Sequence, residues 1–249
     1  QQLSYIYATM DDMQKRSLDT CTKDYLERIL RLKPEFSEGL QGLAYSSGRS
    51  GLSPRLVVQA LDLTQKILRG TYRYSNGEEQ IVLEDGKYVK INFSSSGQQE
   101  CVWILNLLFY YLVQQKEILF IIEEPESHLF PESQKYITEL IALVNNCGHS
   151  IVLTTHSPYV LGTLNNLLYA KTISPQARKE ANKIIRESLW LDYNAFDSWF
   201  VKNGTIENCM DADIHMIQNE KIDEISKVIN EDFERLLELQ TTNEESVVF

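Results

Sequence analysis

The sequence predicts an α/β fold with parallel strands and flanking helices. Two apolar segments of strand length, 118–122 and 150–154, are each followed by a helical pattern that begins at a proline, Pro131 or Pro158. Strands that alternate with helices are joined by right-handed crossovers and pair in parallel. The two apolar strands should therefore be neighbours in a mainly parallel core sheet, buried on both faces, with their carboxyl ends at one edge.

Ahead of the first apolar strand, the pattern predicts helices and one antiparallel sheet. Alternating polar and apolar residues over 71–93, with Asn76-Gly77 and Asp85-Gly86 as tight turns, predict a three-stranded meander. An almost wholly apolar stretch at 100–115 predicts an internal helix. The other predictions here are a strand at 3–9, a helix at 11–32 ended by Pro34, a loop at 40–53 and a helix at 54–68.

In the second half, the predicted strands and helices first continue to alternate and are then followed by a helix, a hairpin and a further helix. The predictions are a helix at 131–145, a helix starting at Pro158, a strand at 167–173, a charged helix at 175–187, a hairpin at 199–210 turning at Asn203-Gly204, an amphipathic helix at 222–239 and a mobile tail at 241–249.

The composition is that of an ordinary globular protein, with 43% hydrophobic residues among 249 and a formal net charge of −11. That charge opposes binding to nucleic acid or to an anionic membrane, so DNA contact would need a local basic patch and is not supported by composition. No apolar run reaches the roughly 20 residues of a membrane span. The four cysteines lack C-x-x-C spacing, which predicts reduced thiols and a cytoplasmic protein: Cys21, Cys101, Cys147 and Cys209.

A small polar segment, Ser-Ser-Ser-Gly-Gln-Gln-Glu at 94–100, lies between the meander and the internal helix. Small residues at a helix start allow backbone N–H groups to approach an anion at the positive end of the helix dipole. The simpler interpretation is a serine N-cap. The segment alone does not decide between the two.

Two adjacent carboxylates, Glu123 and Glu124, follow the first apolar strand. Such a pair suits holding a hydrated magnesium ion through one carboxylate and orienting an attacking water with the other. A solvated loop start is the alternative. His156 ends the second apolar strand, where an imidazole could donate to a phosphate oxygen, although a lone histidine there is usually an ordinary loop residue.

Together, these three motifs resemble the head of an ABC-type ATPase of the P-loop NTPase class. Ser95-Ser96-Gly97-Gln98 resembles the signature motif, 119–124 resembles Walker B with its catalytic glutamate, 126–131 resembles the D-loop, and His156 resembles the switch histidine. Within that superfamily the motifs are most similar to the SMC-like and overcoming-lysogenization-defect ATPases, and to ATPases of bacterial anti-phage systems such as Septu and retron-associated ones. The resemblance covers roughly 56–173.

The resemblance implies ATP and Mg²⁺ as ligands. It implies that Glu123 helps to hold magnesium through its water shell, that Glu124 polarises the hydrolytic water and that His156 contacts the γ-phosphate. It further implies nucleotide-binding roles, partly toward ATP on an opposing subunit, for Ser95, Ser96, Gly97, Gln98, Ser127 and His128.

The sequence departs from the family pattern in three places. Glu123 stands where Asp is common, and Ser96 stands where the signature has its first glycine. No Gly-x-x-x-x-Gly-Lys-[Ser/Thr] loop is present, and segment 48–53 lacks both the lysine and a preceding strand. We expect that loop upstream of this sequence, which divides the chain into an accessory segment continuing an upstream lobe (1–55), an ATPase core (56–173) and a helix-hairpin-helix extension (174–249).

The resemblance implies an ATPase that dimerises around ATP and drives a partner, such as a nuclease or a retron-type effector. A non-hydrolysing interaction module is one alternative. The other is a nuclease that binds metal through Asp211 and Asp213, although no apolar strand leads into that pair.

Overall fold

The computed structural model describes residues 7–46, 51–218 and 228–237. Helices form most of this part, together with four small sheets. The elements of the first half are α1 (Asp12–Arg16), α2 (Thr20–Leu32), α3 (Gly39–Ser46), α4 (Pro54–Leu68), β1 (Thr71–Ser75), β2 (Glu78–Val82), β3 (Tyr88–Lys90) and α5 (Ser96–Gln114). Those of the second half are β4 (Leu119–Glu123), α6 (Pro131–Asn146), β5 (Ser150–Thr154), α7 (Pro158–Thr172), α8 (Arg178–Ile184), β6 (Trp199–Lys202), β7 (Thr205–Asn208), β8 (Met210–Asp211) and β9 (Met216–Ile217).

The amino-terminal predictions need correction. Residues 7–9 are helical, so the predicted strand at 3–9 is wrong where it is described. The predicted helix at 11–32 is two helices, because the Asp19 side chain accepts the Thr22 N–H and starts α2. The predicted loop at 40–53 contains α3, because Leu40 and Leu43 are buried on one face and tertiary packing outweighs the low helix propensity of glycine and serine.

The antiparallel meander is confirmed. β1 pairs with β2 and β2 pairs with β3, with turns at Asn76-Gly77 and Asp85-Gly86 as predicted. Both Asn76 and Gly77 have positive φ angles, as a tight hairpin turn requires. A short 3-10 turn then leads from the sheet towards α5.

The parallel pair of apolar strands is also confirmed, since β4 pairs with β5 in parallel register from Leu119–Ser150 to Glu123–Thr154. The expectation that both faces are buried is wrong. Leu119, Ile121 and Val152 on one face are 59%, 72% and 53% exposed, because within the described residues nothing packs over that face. The parallel sheet described in this chain therefore has two strands and one covered face.

The predicted strand at 167–173 is wrong, because α7 continues as one helix from Pro158 to Thr172. Its buried side chains recur at helical spacing, with Leu164, Leu167 and Leu168 all at most 4% exposed. A short apolar run is compatible with either a strand or a buried helix segment, and here the helical continuation buries it.

The carboxyl-terminal part forms the predicted hairpin, in which β6 pairs with β7 across the Asn203-Gly204 turn. The predicted charged helix is shorter than expected and becomes α8. The Asn165 side chain of α7 donates to the Ile217 carbonyl at 2.9 Å and accepts the Ile217 N–H at 2.7 Å, which attaches β9 to the helix. Residues 228–237 are helical, and the remainder of the predicted helix at 222–239 and the tail at 241–249 lie outside the described residues.

One continuous apolar core joins residues from the amino-terminal helices, the central helices and the carboxyl-terminal extension. α5 is its most deeply buried helix, as its apolar composition predicts. Among the described residues, no helix is both long enough and apolar enough to cross a membrane. All four cysteines are free thiols, and burial raises the pKa of Cys101 to about 12.

Candidate functional site

The carboxyl ends of β4 and β5 lie level with one another and form the edge on which the predicted site stands. Glu123 is in register with Thr154, and the Glu124 N–H extends the pairing by donating to the Thr154 carbonyl at 3.0 Å. Glu124 then has a φ of 44°, in the left-handed region that non-glycine residues adopt rarely. This conformation ends the strand and starts the turn that contains Glu126.

The structure brings Glu124 and His156 together at this edge. Glu124 Oε1 lies 3.3 Å from His156 Nε2. The Glu124 side chain is 49% exposed and the His156 side chain 86%, so both groups are accessible to a ligand. A carboxylate and an imidazole in contact, at the end of adjacent parallel strands, form an acid–base pair at the position where α/β sheets bind ligands.

Glu123 is exposed at the end of β4, next to the acid–base pair. Within the described residues, no group of three or more His, Cys, Asp or Glu side chains is arranged to hold a metal ion. Magnesium at phosphate sites is commonly held by one or two carboxylates together with phosphate oxygens and water, and an exposed strand-end carboxylate fits that pattern. Glu123 is thus placed where a carboxylate could contribute to holding magnesium beside a phosphate.

The turn after Glu124 orders Ser127 and His128. The Ser127 N–H donates to the Glu124 carbonyl at 3.0 Å, and its hydroxyl donates to Glu124 Oε2 at 3.2 Å. His128 has a φ of 59°, and its Nε2 lies 3.6 Å from Glu100 Oε1 at the surface. Ser127 therefore contacts the predicted catalytic carboxylate directly, whereas His128 faces the start of α5.

Ser95 caps α5, as the simpler interpretation of the Ser-rich segment expected. Its N–H donates to Gln98 Oε1 at 3.0 Å, and the Gln98 N–H donates back to Ser95 Oγ at 3.3 Å, which forms a capping box. The Gln98 amide also donates to the Leu68 carbonyl at 2.6 Å. Ser95 and Ser96 remain exposed, so capping does not remove them from the surface.

Gly97 is buried where the start of α5 touches the turn after β4. A Cβ placed on Gly97 would lie 2.5 Å from the His128 carbonyl oxygen and 3.2 Å from a Leu129 methyl carbon. Only a residue without a side chain allows this approach. The signature-like helix start and the acidic turn are consequently neighbours in space, although whether Ser95, Ser96, Gly97 and Gln98 bind nucleotide stays a prediction.

Glu126 is the site residue whose role the sequence pattern did not reveal. It is 6% exposed, and its Oε1 accepts the Thr155 hydroxyl at 2.5 Å and the His156 N–H at 3.1 Å. The only sequence signal was an acidic residue two positions after Glu124, in the stretch that resembles a D-loop. Thr155 and His156 are about thirty residues from Glu126 in sequence, so their contact with Glu126 depends on the pairing of β4 with β5.

Asp211 and Asp213, on which the nuclease alternative rests, lie at the turn between β8 and β9. Asp211 Oδ1 accepts the N–H groups of Asp213 and Ile214, at 2.9 and 3.2 Å, and thereby closes the turn between β8 and β9. The segment 48–53, the nearest sequence to a phosphate-binding loop, falls partly on residues 47–50, which lie outside the described residues.

Comparison with known proteins identifies the family of this chain. The family described as AAA ATPase domain matches residues 6–161, which is more than half of the chain and includes β4, β5 and His156. The chain belongs to this AAA ATPase domain family. Membership assigns the α/β fold of P-loop NTPases and makes ATP binding and hydrolysis the expected activity, with the usual requirement for Mg²⁺.

One curated relative adds to this AAA ATPase assignment. The cytochrome c biogenesis ATP-binding export protein CcmA of Bartonella quintana is 31% identical over 98 residues, which cover 39% of this chain and 45% of the relative. The chain therefore matches less than half the length of that relative. The similarity is to an ATP-binding protein whose name describes export.

Proposed function

We propose that this AAA ATPase chain carries the hydrolytic half of an ABC-type nucleotide site, at the edge formed by β4 and β5. The observation that carries the proposal is the 3.3 Å contact between Glu124 Oε1 and His156 Nε2 at the carboxyl ends of paired parallel strands. Family membership supports ATP as the substrate class.

Each polar side chain at the edge has a proposed task. Glu124 accepts a hydrogen bond from the attacking water and orients it, with Ser127 holding the carboxylate through its hydroxyl. His156, the other member of the Glu124–His156 pair, donates a hydrogen bond to the γ-phosphate. Glu123 would help to hold magnesium through its water shell, and the bound ion would neutralise phosphate charge.

The exposed helix start at Ser95 and Ser96 is proposed to face nucleotide held by a second copy of the protein. Exposed hydroxyls and the first-turn N–H groups of a helix of 19 residues are donors suited to phosphate oxygens. Two copies would then close around ATP, because ATP bound between them stabilises the dimer by mass action. Hydrolysis would release it, and a nuclease or retron-type effector is the proposed recipient of the motion.

The test is magnesium-dependent ATP hydrolysis by the protein expressed from its complete reading frame, compared with its Glu124→Gln variant. Gln keeps the size of the side chain but cannot accept a proton, so we expect turnover to fall by about 10²- to 10⁴-fold. The same variant should accumulate an ATP-bound dimer, measured by light scattering coupled to size exclusion.

The matched control is Glu84→Gln, which changes an exposed carboxylate between β2 and β3 that has no proposed role at the site. It should hydrolyse ATP at the wild-type rate. Turnover that survives Glu124→Gln would contradict the assignment of Glu124. A wild-type protein with neither turnover nor ATP-dependent association would instead favour a non-hydrolysing interaction module.

A further inference from the structure

The buried carboxylate of Glu126 is an unusual feature beside an exposed acid–base pair. Burying a carboxylate is costly unless hydrogen bonds replace its hydration. Glu126 Oε1 has two such bonds, from the Thr155 hydroxyl and the His156 N–H, but the buried Oε2 has no hydrogen-bond partner in the described part of the chain. Stability alone does not account for a half-satisfied buried charge at this position.

The two hydrogen bonds connect the two strand ends of the site. Glu124 and Glu126 stand on the same turn, separated by Pro125. Glu124 contacts the imidazole of His156, and Glu126 holds the backbone of the same residue. Attachment at two points fixes where the imidazole lies relative to the catalytic carboxylate.

The hydrogen bonds of Glu126 to Thr155 and His156 form a clamp, and further hydrogen bonds continue from it into α6. Thr155 Oγ1 accepts the Ser157 N–H at 3.0 Å, and the Ser157 hydroxyl donates to Gln134 Oε1 at 2.5 Å. The Gln134 amide then donates to the Leu129 carbonyl at 2.9 Å, at the end of the acidic turn. The chain of bonds returns to the loop it started from, so the turn after β4 and the segment after β5 are braced as one unit.

We propose that Glu126 is a positioning residue that holds the Thr155–His156 segment so that the His156 imidazole meets Glu124 and the phosphate. The inference rests on the proposed function for its catalytic consequence, whereas the clamp itself depends only on the hydrogen bonds to Thr155 and His156. Glu126 need not touch the nucleotide in this role, and its effect on hydrolysis passes through His156.

The first experiment measures amide hydrogen exchange of His156 without nucleotide in wild type, Glu126→Ala and Glu126→Gln. Loss of a hydrogen bond to a charged group should speed exchange on the order of 10- to 100-fold in Glu126→Ala. Glu126→Gln still offers an oxygen to both donors, so His156 should remain protected. Unchanged exchange in Glu126→Ala would overturn the clamp.

The second experiment measures kcat and KM for ATP when Glu126→Ala is made alone and in a His156→Ala background. Misplacement of a catalytic group should lower kcat by about 10- to 100-fold with little change in KM. In the His156→Ala background the same substitution should have almost no further effect. An equal loss in both backgrounds would mean general structural damage and would overturn the proposal.

The two experiments separate failure of this inference from failure of the proposed function. A wild-type protein without ATP turnover contradicts the proposed function, and the exchange of the His156 amide still decides whether Glu126 positions that residue. If Glu126→Ala does not fold, Thr155→Val replaces it, because it removes the hydroxyl that donates to Glu126. Thr155→Ser is its control, since serine keeps the hydroxyl and should keep His156 protected.

Discussion

At the scale of single residues, position along a parallel strand decides what a side chain can do. Glu124 and His156 are separated by about thirty residues in sequence, and the pairing of Glu123 with Thr154 makes them neighbours. The left-handed conformation of Glu124 turns the chain so that Glu126 points into the protein while Glu124 remains half exposed. Acidic residues two positions apart thereby have different environments and different proposed tasks.

His149 lies at the opposite end of β5 and is buried, with Nδ1 lacking a hydrogen-bond partner in the described structure. Desolvation lowers the pKa of His149, against a smaller raising effect of Glu117. The unfolded chain therefore binds a proton at His149 more readily than the folded chain, so the free energy of unfolding should fall as pH drops below about 6.5.

The measurement is urea unfolding of wild type and His149→Gln at about pH 7.5 and at about pH 5.5, on either side of the ordinary histidine pKa. Gln does not titrate, so the variant should lose less stability than wild type between these conditions. An equal loss in both proteins would show that His149 does not contribute to the acid sensitivity.

At the scale of elements, the start of α5 must approach the turn after β4 closely. Gly97→Ala should shift that contact, because the new Cβ would meet backbone atoms of His128 that cannot move independently. We expect a loss of about 1–3 kcal/mol, as for other overpacked sites. Urea unfolding gives the loss, and if the signature segment acts on nucleotide, hydrolysis should fall as well.

Gly162→Ala is the matched control, because Gly162 is inside α7 and a Cβ there would meet no atom within 4 Å beyond the adjacent residues and backbone of its own helix. Alanine is the better helix former, so this variant should gain up to about 1 kcal/mol. A Gly97→Ala protein as stable as the Gly162→Ala protein would contradict the close-approach explanation.

At the scale of the whole molecule, one carboxylate ties together segments that the sequence pattern assigned to different units. Glu79 Oε1 accepts from the Tyr72 hydroxyl at 2.9 Å and from Trp103 Nε1 at 2.8 Å, and its Oε2 lies 2.8 Å from Lys33 Nζ. Burial, together with the Glu79 carboxylate, raises the pKa of Tyr72. The rings of Phe36, Tyr72 and Trp103 pack edge to face against one another.

Glu79→Ala should therefore destabilise the molecule as a unit. Removing one partner of a largely buried ion pair costs about 3–5 kcal/mol, because the Tyr72 and Trp103 donors and the Lys33 charge lose the Glu79 carboxylate. Glu78→Ala is the neighbouring control: its pair with Lys90 is 2.6 Å long but 40–46% exposed, so at most about 1 kcal/mol should be lost. Urea unfolding of both variants compares them, and similar losses would contradict the buried-hub explanation.

The shared apolar core is relevant to the predicted division of the chain into domains. The matched family region begins at residue 6, and residues on both sides of position 55 share one core. The division into 1–55, 56–173 and 174–249 stays a prediction, as do dimerisation, the effector partner and any role in anti-phage defence. The net charge of −11 gives DNA binding no support at the level of the whole surface.

Local sequence signals were enough to predict several elements and to place the acidic and histidine motifs at the ends of paired strands. The meander, the hairpin at Asn203-Gly204, the parallel pair and the Glu123-Glu124 and His156 motifs could all be read from turn dipeptides, alternation and apolar runs. The strands and turns have local signals, since each depends on residues adjacent in the chain, and the alternation of strands with helices then predicts the parallel pairing.

Contacts between distant segments settled the features that local patterns left open. Leu167 and Leu168 suit a strand or a helix equally, and burial against the core selected the helix. The same reason explains why Leu40 and Leu43 form a helix in a glycine-rich stretch and why Glu126 could not be assigned a role from its motif. The free energy that settles each case comes from burial and hydrogen bonds across the fold, and a local sequence pattern does not contain it.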